Sequence, residues 1–99
     1  MNNLLTETQV VLQSHNKDFK DVRFITNGTD EIPLESFLKL ANKNYDDGYG
    51  KTHVNMDLKI VGSNWWLERH EYDGSEWWEF KTIPIKPVTQ SPDAKSIWC

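Results

Sequence analysis

The dipeptide Asp73-Gly74 constrains this chain more than any other feature. Between two runs of β-favouring residues, Asp-Gly supplies the positive-φ positions of a two-residue type I′ hairpin turn. The flanking runs are Trp65-Trp66-Leu67-Glu68-Arg69-His70-Glu71-Tyr72 and Ser75-Glu76-Trp77-Trp78-Glu79-Phe80-Lys81. Pairing outward from the turn sets Tyr72 against Ser75, His70 against Trp77, Arg69 against Trp78, Glu68 against Glu79 and Leu67 against Phe80. Upstream, Val54, Met56, Leu58 and Ile60 alternate with Asn55, Asp57 and Lys59, the period of a half-buried strand. A turn at Gly62-Ser63-Asn64 then places Ile60 opposite Leu67, Lys59 opposite Glu68 and Asp57 opposite His70. The expectation is a three-stranded antiparallel meander over residues 54–61, 65–72 and 75–83.

This register sorts the side chains by chemistry. One face collects Met56, Leu58, Ile60, Trp65, Leu67, Trp78 and Phe80, a core with Arg69 at its margin. The other collects Asp57, Lys59, Trp66, Glu68, His70, Tyr72, Trp77, Glu79 and Lys81. A bulged three-residue turn would slip one strand and bury Glu79 and Lys81, so the unslipped pairing is preferred. Large aromatics among ionisable groups are unusual on a surface that merely meets water. Either the N-terminal segment, the tail or a second copy covers them, or they form a binding surface, since Trp and Tyr dominate interface hot spots.

Before the meander, Pro33 followed by Leu34, Phe37, Leu38, Ala41 and Tyr45 has the spacing of one amphipathic helix over about 33–45. Asn44, Asp46, Asp47 and Gly48 mark its end, and residues 45–50 read as a turn. Residues 4–15 leave helix or strand open, with Thr6-Glu7-Thr8-Gln9 resembling a capping box. Residues 21–26 alternate as a strand that stops at Asn27-Gly28. Pro84, Pro87 and Pro92 prevent regular pairing, so residues 84–99 should run as an extended tail, with a final helical turn near Ile97 and Trp98. The fold class expected is α+β, one domain of 99 residues with a helix packed on an antiparallel sheet.

Several chemistries fit poorly. The net charge is −4, and residues 64–82 hold Glu68, Glu71, Asp73, Glu76 and Glu79 against Arg69 and Lys81, which opposes direct nucleic-acid binding. No apolar run approaches a membrane span. The opening residues lack a basic stretch before an apolar core, which predicts no export signal and a cytoplasmic location. The lone Cys99 excludes an internal disulfide, and His15, His53 and His70 share no metal-ligand spacing, so neither a metal nor another cofactor is expected. His70 beside Glu68, Asp57 and Glu79 can be drawn as a proton-transfer site, but no nucleophile has a fixed position near it. An acidic, aromatic hairpin better suits a basic protein surface, with Trp66, Tyr72 and Trp77 as anchors, Glu68, Glu76 and Glu79 as the charged complement, and His70 among them.

The stretch Trp66-Leu67-Glu68-Arg69-His70-Glu71-Tyr72-Asp73-Gly74-Ser75-Glu76-Trp77-Trp78-Glu79-Phe80 resembles a small, uncharacterised family of tailed-bacteriophage proteins with a W-L-E-R-x-E-Y-D-G-S-E-W-W-E-F motif. The likeness covers roughly residues 32–87. It implies a phage gene product in the cytoplasm of an infected bacterium and supplies no catalytic residues. The functional expectation is non-enzymatic: inhibition of a host or bacterial-defence protein, an anti-CRISPR protein being one example. The alternatives are a structural or homo-oligomeric phage component and, third, a small enzyme or ligand-binding module.

Overall fold

The computed structural model describes residues 2–46 and 50–99. The expected turn at Asp47 and Gly48 lies outside them. The fold is α+β: two helices and two antiparallel sheets, one of four strands and one of two.

The chain opens with a short strand, β1 (Asn2–Asn3), and the helix α1 (Leu4–Ser14). Asn3 caps α1 by accepting the Thr6 N–H at 3.1 Å, so the helix starts before the expected capping box. Its far end is a Schellman turn. Asn16 adopts φ 58°, its N–H donates to Gln13 O at 3.0 Å, and Lys17 N–H donates to Leu12 O at 2.9 Å. The valines at 10 and 11 are tolerated because tertiary packing on Leu12 outweighs their small propensity cost.

Strand β2 (Phe24–Thr26) is followed by an Asx turn, in which Asn27 Oδ1 accepts the N–H groups of Thr29 at 2.9 Å and Asp30 at 2.7 Å. Helix α2 (Leu34–Leu40) is shorter than the expected 33–45. The N-terminal segment takes the difference. Asn3 Nδ2 donates to Asn42 Oδ1 at 3.1 Å and Asn44 Oδ1 at 3.0 Å, Leu5 N–H donates to Ala41 O at 3.0 Å, and β3 (Asn44–Tyr45) pairs with β1. Tyr45 therefore leaves the helical stripe.

The large sheet has the order β2, β4 (Lys59–Val61), β5 (Trp65–Tyr72), β6 (Ser75–Thr82). The expected strand 54–61 is cut short because Leu58 N–H donates to Asn55 O at 3.1 Å and Asp57 N–H to Asn55 Oδ1 at 2.8 Å, closing a turn. Burial still alternates through it: Val54 and Met56 are half-buried, Leu58 and Ile60 buried. The hairpin register is the unslipped one, from Tyr72 opposite Ser75 through His70 opposite Trp77 to Leu67 opposite Phe80. Asp73 at φ 51° and Gly74 at φ 87° supply the left-handed pair that the I′ turn requires. Glycine at 62 is set by contact instead, since a Cβ there would lie 2.1 Å from the Trp65 indole.

Both helices serve one face of this sheet. The core joins Leu12 of α1 and Phe37 and Ala41 of α2 to Ile25, Leu58, Ile60, Trp65, Leu67 and Trp78. His15, absent from the expected core, stacks on Phe80 with centroids 3.9 Å apart. Beyond β6, among the described residues, one backbone bond ties the chain to the body, Ile83 N–H to Asn64 O at 3.0 Å, and residues 83–99 are exposed, with a 3₁₀ turn at Ala94–Ser96. The radius of gyration, 16.7 Å, exceeds the roughly 13 Å of a compact chain this long because that tail stands off the body.

Candidate functional site

Alternation along the strands leaves the second face of the sheet without helices. Trp66, Glu68, His70 and Tyr72 project there from β5, and Trp77, Glu79 and Lys81 from β6. Lys59 and Val61 of β4 and Phe24 of β2 continue it by register. The N-terminal helix packs on the opposite face and the tail is exposed, so neither intramolecular cover expected for this surface is present among the described residues.

The two hairpin strands carry the same short pattern in opposite directions, Trp66-x-Glu68-x-His70 and Trp77-x-Glu79-x-Lys81. The Trp66 indole N–H donates to Glu68 Oε1 at 2.6 Å, and His70 Nε2 lies 2.7 Å from Glu68 Oε2. The Trp77 N–H donates to Glu79 Oε2 at 3.0 Å, with Lys81 Nζ 3.5 Å from Glu79 Oε1. The Trp66 N–H and then His70 hold the Glu68 carboxyl below the usual carboxylate range, and the Trp77 N–H does the same for Glu79. Directly opposed carboxylates repel, and these donors are what let Glu68 and Glu79 sit as a cross-strand pair. Each indole is thereby tethered at its polar edge. The His70 ring stacks near Trp77 at 6.5 Å, while Trp77 is 37% and Tyr72 77% exposed.

Glu76, expected among the partner-facing acids, instead has the inward parity of Trp78 and is buried. Its Oε1 receives Arg69 Nη2 at 2.9 Å and the Val54 N–H at 3.0 Å, and its Oε2 the His53 N–H at 2.7 Å. Arg69, expected at the core margin, is fully enclosed, with Nη1 2.9 Å from Glu7 Oε1 and its guanidinium 4.9 Å from the Trp78 ring centroid. The Tyr45 hydroxyl donates to Glu7 and lies 3.3 Å from Arg69 Nη2. Burial, then the bond to Glu7, push the Tyr45 phenol up to about 12. Thr8 completes the cluster, accepting the Trp78 indole N–H at 2.9 Å and donating to Leu4 O at 2.7 Å. The register already gave Arg69 and Glu76 a shared inward parity; that was the signal for this cluster. Nothing local in the sequence pointed to Glu7 or Tyr45.

The proton-transfer constellation is only partly assembled. Glu68 meets His70, but Asp57 sits in the 55–58 turn against Gly28, outside the pairing that was to bring it opposite His70. A shallow cleft of about 480 Å³ beside Leu4, Leu40, Tyr45, His53 and Leu58 has no carboxylate in its lining among the described residues. Among those residues no three His, Cys, Asp or Glu side chains gather as a metal site, and no helix is long and apolar enough to cross a membrane. Comparison with protein-family models, curated proteins and solved structures returns no match.

Proposed function

We propose that this chain is a non-enzymatic binding protein whose open sheet face docks on a partner protein. The observation that carries the reading is the pair of part-exposed tryptophans Trp66 and Trp77, each fixed by a carboxylate, on the sheet face opposite the helices. Preorganised aromatics lose little side-chain entropy on association, which is what hot-spot anchors require. The charge on this surface is distributed unevenly. Lys59 and Lys81 balance Glu68 and Glu79, whereas Asp73 stands exposed at the hairpin turn beside Tyr72. A basic partner surface fits that tip, with its apolar part over the indoles.

With the motif's resemblance to tailed-phage proteins, the reading extends to a phage inhibitor of a host or bacterial-defence protein, acting by occlusion in the infected cell. The test is binding of the captured partner to wild type, to Trp66→Ala with Trp77→Ala, and to His70→Ala. Loss of binding in the folded tryptophan variant is expected. Unchanged binding in that variant would overturn the face as the site.

A further inference from the structure

The exposed tail carries the chemistry that an aromatic sheet face can take up. Ile85 is 90% and Val88 100% exposed, and the intervening Lys86 and Pro87 are exposed as well. Pro84 and Pro87 fix their own φ and hold the residues before them extended, which favours a polyproline II segment over residues 84–88. Such a segment has no internal hydrogen bonds and little entropy left to lose, and aromatic-lined surfaces are what recognise it.

The sheet face is such a surface. Trp66 stands opposite Lys81, four residues along β6 from Trp77, so the Cα atoms of the two tryptophans are about 14 Å apart at strand rise. Ile85 and Val88 lie about 9 Å apart as polyproline II, and each indole leans inward from its Cα to reach its carboxylate, which narrows the gap to be bridged. Midway between the indoles lies the Glu68 and Glu79 pair, and midway along the segment lies Lys86. Ile85 and Val88, three residues apart, share one edge of such a segment and can face the two indoles, with Lys86 beside the Glu68 and Glu79 carboxylates between them. Its own face is not the one the tail is aimed at: β6 runs from Trp77 towards Thr82, and the Ile83 N–H on Asn64 O keeps the chain on that heading.

We propose that residues 84–88 of one copy lie across Trp66, Glu68, Glu79 and Trp77 of a second copy. This rests on the reading of that face as a protein-binding surface and assigns its occupant in the free protein. Reciprocal exchange of tails closes a two-fold dimer, whereas one-way exchange builds a chain of copies. Partner binding then competes with self-association.

The experiment is sedimentation velocity on the full chain across a hundredfold concentration range reaching high micromolar. Wild type should pass from monomer to dimer. Ile85→Asp with Val88→Asp changes only exposed tail positions, and Trp77→Ala changes only the face. Each alone should raise the dimer dissociation constant at least tenfold, and an equimolar mixture should regain a heterodimer through the one intact tail and the one intact face. Wild type that stays monomeric, a tail variant that associates like wild type, or a mixture that stays monomeric would overturn the proposal. The tail variant keeps the face, so its capture of a partner is expected to persist, and that result separates failure of the dimer from failure of the binding face.

Discussion

The most stringent demands at the residue scale fall on the buried Arg69 cluster. Arg69 and Glu76 are both fully enclosed, whereas the Glu7 side chain keeps 22% exposure. Burial pushes the Arg69 guanidinium down, but Glu7, Tyr45 and Glu76 outweigh it and hold it raised. Removing one member of a buried pair strands the other charge, at about 3–5 kcal/mol. Glu76→Gln should therefore lower the urea midpoint much more than Glu7→Gln, whose site reaches water; equal losses would contradict the burial argument. Tyr45 gives a pH signature. Its folded value of about 12 lies above that of an unfolded tyrosine, so its contribution is present below about pH 10 and disappears as pH rises towards 12. Chemical denaturation between those limits should show an alkaline decline that Tyr45→Phe reduces. Glu68 works in the opposite direction. Its depressed carboxyl adds stability above the ordinary glutamate range that is lost as pH falls through its folded value. Trp66→Phe keeps the ring but removes the N–H, and carboxyl carbon titration by NMR should find Glu68 moved back up.

Among the elements, the hairpin was the most legible in sequence because its turn chemistry, strand periodicity and polar sorting all specify one register. Asp73-Gly74 has the left-handed pair that the turn needs, and a slip would have buried Glu79 and Lys81. The open face with Trp66, Glu68, His70, Tyr72 and Trp77 followed from the same count. Legibility declined where partners are far apart in sequence. Tyr45 fits a helical stripe, yet Asn3 and Leu5 draw residues 41–44 into a ladder with the N-terminus, and no local pattern anticipates that. Asn55 likewise ends an alternating strand by capping a turn, while the burial alternation survives as a trace of the expected one. Glu76 reads as a surface acid by residue type, whereas its strand parity points it inward. Gly62 tests the element scale directly. Any Cβ there meets the Trp65 indole, so Gly62→Ala should cost about 1–3 kcal/mol, the range of overpacked sites, with red-shifted tryptophan emission. Emission and stability like those of wild type would show that the indole can move aside.

The whole molecule is a two-layer body with one worked face and one exposed arm. Among the described residues its helices, its core and its buried ionic cluster lie on a single side of the sheet, and the opposite side keeps its tryptophans tethered and part-exposed. Function on this account depends on that asymmetry: the inner cluster sets the hairpin's position on the body, and the hairpin presents the aromatics. His70 lies beside the anchors, against Glu68, so on the proposed reading His70→Ala should change affinity far less than the tryptophan changes. The most direct measurement of the central claim is calorimetric titration of a partner first captured with the wild-type chain. It would be run against wild type and against the Trp66→Ala, Trp77→Ala double variant, with folding checked by circular dichroism. The folded variant should bind at least a hundredfold more weakly, about 2.7 kcal/mol or more. Equal affinity would contradict it and move the site off the sheet face.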